Sequence, residues 1–184
     1  MSFLRGRFLK RLFTGFLFSL VGYFLMAFQS GGSSFFTYGI LCFILCHIFY
    51  IRGFYLDFRS APELDKKGAR IAIIVTFLLS IFFYFYIRPS LGKAQLPVLL
   101  CTLLVGFMIM MASFRHQRVN SKSFNLILGG VMLFTIADML FCYFSFLNAE
   151  FSDAGVLMTL IFVLAQSLIL AGGLSRKLIY TQSE

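Results

Sequence analysis

Long apolar runs alternate with short polar segments along the whole chain. Six runs stand out: Leu12–Phe28, Phe35–Ile51, Ile71–Ile87, Leu96–Phe114, Phe124–Leu147 and Ala154–Leu174. Each comes close to the ~20 residues a helix needs to cross the roughly 30 Å hydrocarbon core of a bilayer. In every run Leu, Ile, Val and Phe outweigh the few polar groups. Helices rather than strands are required, because an open sheet edge in lipid leaves backbone groups unpaired. The short alternating segments of an outer-membrane barrel are absent. The pattern therefore predicts an all-α, polytopic transmembrane bundle of six spans, a single domain over residues 1–184.

The polar segments give this bundle a direction. Arg5, Arg7, Lys10 and Arg11 precede the first run; Arg52, Arg59, Lys66, Lys67 and Arg70 follow or flank the turn after the second. Arg115, Arg118 and Lys122 follow the fourth run, and Arg176 and Lys177 the sixth, so 14 of the 16 basic residues fall on one side. Only Arg88 and Lys93 fall on the other, where Glu150 and Asp153 also lie. The positive-inside rule then places both ends in the cytoplasm. The segment from Ser60 to Gly68, with Pro62, reads as a cytoplasmic turn rather than a domain linker. A basic start before an apolar run also fits a signal peptide, but the first run is long for one and Gln29-Ser30-Gly31 offers no small-residue cleavage site. The expectation is an uncleaved first span.

Composition agrees. Hydrophobic residues make up 60% and charged residues 12%, against roughly 45–50% and about 25% in soluble globular domains. With 26 Phe and no Trp, interfacial anchoring falls largely to Tyr. The net charge of +9 sits in clusters between spans, a topological placement rather than a nucleic-acid surface. Cys42, Cys46, Cys101 and Cys142 all lie in apolar runs, where cysteine behaves as a small hydrophobe. Cys42, Cys46 and His47 share part of a helix face, but no second ligand cluster accompanies them, and no metal is expected.

Chemistry is sought among the polar residues inside the runs, because an ionisable group near the bilayer centre costs ~2.5–3.5 kcal/mol or more on insertion scales. Asp138 is the one acid deep within an expected run, between Ile136-Ala137 and Met139-Leu140. His47 is the one deep histidine, and Gln166 is a polar intruder in the last run. His116, between Arg115 and Arg118, reads as a solvated loop residue. For Asp138, an interhelical hydrogen bond and a proton-transfer group are both open readings. For His47 and Gln166 taken singly, a packing role leads, since polar side chains commonly join helices across a bundle.

A weak internal repeat links these positions. Phe43-Ile44-Leu45-Cys46-His47 resembles Phe162-Val163-Leu164-Ala165-Gln166, and Leu17-Phe18-Ser19-Leu20 resembles Leu133-Phe134-Thr135-Ile136, with offsets of 119 and 116 residues. A duplicated helix pair would set His47 and Gln166 at matching depth, facing a shared centre, and Asp138 would match Gly22, next to Tyr23.

The same residues resemble the YhhN-like lysoplasmalogenase family of integral membrane proteins. Gly15-Phe16-Leu17-Phe18-Ser19-Leu20-Val21-Gly22 is similar to its G-L-x-F-S-L-x-G-D segment, and Phe43 to His47 with Tyr50 to F-L-x-x-H-x-x-Y. Pro97-Val98 with Met111-Ala112 resembles the middle span, Gly130 to Phe134 with Ala137-Asp138 resembles G-A-x-x-F-x-x-S-D, and Ala165-Gln166 the final A-Q. Family members usually carry a further N-terminal pair of spans with a Lys-Pro element; this chain begins near their third span. The acid expected after Gly22 is Tyr23 here, and a middle-span Tyr is replaced by Cys101.

The resemblance implies hydrolysis of the vinyl-ether bond of lysoplasmalogens, giving a fatty aldehyde and a glycerophospho-headgroup. That chemistry needs an acid to protonate the vinyl ether and a base to activate water. On this reading Asp138 and His47 are the catalytic residues, Tyr23, Gln166, Tyr50 and Ser19 bind substrate, and no cofactor is required. The expected partners are the bilayer and a lysophospholipid or other amphiphile, and the expected location is a bacterial inner membrane. Two other readings stay open: a non-catalytic relative that binds lysolipid, and a small transporter whose Asp138 and His47 handle protons.

Overall fold

In the computed structural model, which describes residues 2–27, 33–61, 66–147 and 154–179, the six apolar runs form six α-helices. They are α1 (Ser2–Ala27), α2 (Ser33–Phe58), α3 (Lys66–Ile87), α4 (Gln95–Ser113), α5 (Ser121–Phe146) and α6 (Ala154–Leu174). All six are long and apolar enough to cross a membrane. At ~1.5 Å per residue even the shortest, α4, nearly matches the hydrocarbon core. Gln29-Ser30-Gly31, Pro62, Glu150 and Asp153 lie outside the described residues. Two 3₁₀ turns, Arg88–Ser90 and Gly92–Ala94, reverse the chain between α3 and α4. Gly92 there has φ +49°, a left-handed conformation that glycine adopts without a Cβ penalty.

The helices are longer than the apolar runs at two places. The basic residues before Leu12 are helical and continue α1. Arg52 interrupts the apolar run of α2 but not the helix, which carries on to Phe58. Arg52 is exposed, and its carbonyl accepts a hydrogen bond from Arg11 Nη1 at 2.5 Å.

Neighbour relations close five helices into a ring, in the order α1, α2, α4, α5, α6 and back to α1, with α3 packed outside against α4. Small residues permit the tightest approaches. A Cβ on Gly15 would meet the Tyr50 ring at 2.7 Å and the Cys46 carbonyl at 3.2 Å; one on Gly130 would meet the Ala165 carbonyl and Ile169 Cγ1, both at 2.8 Å. Ala165 and Ile169 each follow their α2 counterparts, Cys46 and Tyr50, by 119 residues, so the α1–α2 and α5–α6 hairpins pack in related ways. The glycine comes one residue earlier than the 116-residue offset between α1 and α5 would place it.

α3 is apolar outward and polar inward. Ile71, Ile74, Leu78, Phe82 and Phe85 form its exposed stripe, whereas Thr76 and Ser80 are buried. Gly106 of α4 receives that inner face, with Ser80 Oγ 3.0 Å and Thr76 Cγ2 3.4 Å from where its Cβ would be. An aqueous protein would reverse this pattern; a lipid-facing helix has no reason to.

At the end of the bundle that holds the termini, the ring is filled and fastened. Phe8, Leu12, Tyr50, Phe54, Ile127 and Ile169 are fully buried there. Beneath them Asp57, also fully buried, accepts from Arg115 Nε at 2.7 Å and from Arg176 Nε at 2.6 Å. Arg115 also donates to the Ser123 hydroxyl at 2.9 Å, and Ser123 Oγ donates to the Gly172 carbonyl at 2.7 Å. The guanidiniums of Arg115 and Arg176 lie over the Phe8 ring at 5.6 and 4.5 Å, where cation–π attraction adds to the pairing. Burial lowers the Arg115 pKa from its ordinary value, while the carboxylate of Asp57 opposes that shift. The residues after α6 run against the α4–α5 loop: Asn120 N–H donates to the Lys177 carbonyl and Ile179 N–H to that of Arg118, each at 3.0 Å.

Arg115, Arg118 and Arg176 are thus buried residues that happen to lie at span ends. Removing one member of a buried pair leaves an uncompensated charge and costs ~3–5 kcal/mol. Asp57→Asn should therefore lower the melting temperature of the detergent-purified protein markedly, whereas neutralising exposed Arg59 should shift it little; equal shifts would contradict the latch.

Candidate functional site

The opposite half of the bundle is open inside. A cavity of about 580 Å³ is lined by side chains from all six helices. Its position follows from which turns contribute: Tyr23 and Met26 at the end of α1, Val98 and Thr102 near the start of α4, Gly155 and Thr159 in the first turns of α6. Its walls are mainly apolar, which is the usual character of a site for an apolar ligand.

Two ionisable side chains meet at its wall. His47, on α2, is 1% exposed, and its Nε2 lies 3.3 Å from Asp138 Oδ2 on α5. The approach is within ion-pair distance but off hydrogen-bond alignment. Asp138 is 25% accessible through the cavity that it lines. Two further contacts fix the imidazole: its ring stacks on Phe134, with centroids 5.4 Å apart and planes 6° from parallel, and Nδ1 lies 2.6 Å from the Phe43 carbonyl. A carbonyl can only accept, so Nδ1 carries a proton and donates it. In neutral imidazole Nε2 is then the basic nitrogen, and its contact with the carboxyl is favourable when one proton is held between them. The contact lies at the edge of the mainly apolar cavity.

The other residues singled out in the sequence divide into two groups. Tyr23 lines the same cavity. Its ring stacks on Phe162 at 4.7 Å, and its hydroxyl donates to Thr159 Oγ1, which in turn donates to the Gly155 carbonyl. Ser19, Tyr50 and Gln166 do not line the cavity; they are buried beside Cys46 in the packed part of the ring. Tyr50 OH donates to Gln166 Oε1 at 2.5 Å, and Gln166 Nε2 has no hydrogen-bond partner among the described residues. His47 and Gln166 are therefore both buried but serve different contacts. His116 is exposed, its ring 5.1 Å from that of Phe124.

Sequence reasoning did not single out Asp57 or Thr159. Asp57 continues the buried face of α2 through Tyr50 and Phe54 at helical spacing, a signal hidden by ending the span at Ile51. Thr159 follows Met158 in a run with no other polar neighbour nearby, and only its pairing with Tyr23 distinguishes it. Among the described residues, no three His, Cys, Asp or Glu side chains gather as metal ligands. Cys46 is enclosed in the core and His47 faces Asp138.

A bundle of six helices able to span a membrane, with a histidine–aspartate contact at the wall of a mainly apolar cavity, defines the class: a multi-pass integral membrane protein. The chain belongs to the YhhN family, whose model matches residues 4–173. No curated protein and no solved structure matches it.

Cys101 and Cys142 line the cavity, whereas Cys46 is fully buried. A small neutral methanethiosulfonate should modify Cys101 and Cys142 well before Cys46, read by peptide mass spectrometry. Equal rates at all three would contradict an accessible cavity.

Proposed function

We propose that this protein is a lysoplasmalogenase-type hydrolase that cleaves the vinyl-ether bond of single-chain ether lipids in the cavity. The observation that carries this reading is the His47–Asp138 contact at a mainly apolar wall. Membership of the YhhN family, in which lysoplasmalogenase activity is known, supports it. The positive-inside distribution of basic residues supports a cytoplasmic location for both termini, and with it a cavity set toward the opposite leaflet.

The chemistry needs one proton, used in turn as acid and base. The dyad protonates the β-carbon of the vinyl ether, and the C=C electron pair forms the new C–H bond. The ether oxygen donates a lone pair to the adjacent carbon, giving an oxocarbenium ion. Water adds to that carbon and returns a proton to the dyad, which the first step left deprotonated. The resulting hemiacetal collapses: the bond to the glycerol oxygen breaks, that oxygen takes a proton, and the hydroxyl loses one. The products are the fatty aldehyde and the glycerophospho-alcohol.

This cycle works with one carboxyl. A second acid at position 23 is not needed if His47 holds the proton with Asp138, and the Tyr23 hydroxyl is already committed to Thr159. The lysolipid-binding alternative draws on the same feature, because Tyr23 occupies the place of the family's second acid.

Purified protein should release fatty aldehyde from lysoplasmenylethanolamine, and Asp138→Asn or His47→Phe should each lower kcat by about 10²–10⁴, the usual contribution of general acid–base catalysis. An inert wild type that gains activity as Tyr23→Asp would establish the binding alternative instead.

A further inference from the structure

A second cavity, of about 520 Å³, lies along α3 toward the end of the bundle that holds the termini. Three side chains, Leu79 of α3, Ile109 of α4 and Met132 of α5, line both cavities. The two spaces therefore adjoin at this apolar boundary. Beyond it the second cavity is lined by Val75, Leu128 and Phe124, and Ser113, His116 and Arg118 stand at its far end. The Arg118 guanidinium lies over the Phe58 ring at 5.1 Å, so this end is capped by polar groups anchored on an aromatic wall.

The geometry points to this second cavity as the sleeve for the hydrocarbon tail of the lipid whose ether bond lies at Asp138, an inference that rests on the hydrolase or lysolipid-binding reading of the first cavity. Length supports a tail. From Asp138 to Leu128 along α5 the rise is about 15 Å, and to Phe124 about 21 Å. An extended tail of about sixteen carbons covers roughly two-thirds of the ~30 Å hydrocarbon core, so its methyl end comes to lie between Leu128 and Phe124, just short of the polar cap. The reacting bond then sits at the dyad, the headgroup points toward the last turn of α1 and the first turn of α6, and the tail threads past Leu79, Ile109 and Met132. Leu and Met are flexible enough to part around a methylene chain without backbone movement. The polar end sets an upper limit on tail length, because a longer tail would push methylenes against Ser113, His116 and Arg118.

The arrangement of α3 fits this use. It packs mainly on α4, contributes Leu79, Ser80 and Phe83 to the first cavity, and contributes Ile71, Val75 and Thr76 to the second. Together with α4 and α5, which also line both cavities, it follows the whole proposed path.

The test is photocrosslinking of the full-length protein in nanodiscs with a long-chain, saturated ether lysophosphatidylethanolamine, which cannot be hydrolysed. One probe carries a diazirine at the methyl end of the tail and another carries it beside the ether oxygen. A two-chain phosphatidylethanolamine with the methyl-end label reports ordinary bilayer contacts. The methyl-end lysolipid should mark Val75, Leu128 or Phe124 peptides beyond the two-chain control, and the ether-end probe should mark the first cavity. Leu128→Trp should cut the methyl-end adducts by about tenfold or more, equivalent to ~1.4 kcal/mol, and leave the ether-end adducts in place. Methyl-end adducts confined to the first cavity or to outer helix faces, adducts no stronger than the two-chain control, or an unchanged yield in Leu128→Trp would overturn the sleeve. Correct labelling together with no hydrolysis of the vinyl-ether lipid would overturn the catalytic reading alone.

Discussion

A charge taken out of water must be paired, and in lipid no solvent can substitute for a missing partner. Asp57 meets that constraint by lying between Arg115 and Arg176. Those two arginines come from the α4–α5 loop and the segment after α6, and the aromatic rings around them from α1 and α2. One buried carboxylate thus gathers the same end of five helices. The consequence appears at the other end. With the ring drawn together around the latch, the half farther from the termini holds the open cavity.

The two carboxyls inside the bundle sit in different surroundings. Asp57 is fully enclosed and accepts from two guanidiniums whose own donors reach Ser123 and aromatic faces, so its charge is satisfied and inert. Asp138 has one partner, His47, and one open side toward the cavity. Fixed pairing makes a fastener; a single partner beside an opening is the arrangement on which the proposed proton transfer relies.

Much of this was legible in the sequence where physics leaves a one-dimensional trace. Apolar length against bilayer thickness gave six helices, and Asp138 and His47 stood out because polar groups are costly where they lie. The latch was not legible. Arg52 interrupts the apolar run and sets Asp57 beyond it, and Arg115 and Arg176 follow their runs in the positions of ordinary loop charges. Nor did sequence show that Ser19, Tyr50 and Gln166 lie behind the cavity wall rather than on it. A helix that is apolar on every face carries no stripe to say which side meets protein and which meets lipid. Only the packing of Gly15 against Tyr50, and of Gly130 against Ile169, settles the rotation of those helices.

The account rests on His47 and Asp138 acting as one unit that holds a single catalytic proton. A double-mutant cycle on kcat/KM for lysoplasmenyl-lipid hydrolysis, with His47→Gln and Asp138→Asn, measures that unity directly. Residues that act together are strongly non-additive, so the double variant should be about as slow as the slower single variant. Losses that multiply, or a His47→Gln variant as fast as the wild type, would contradict it.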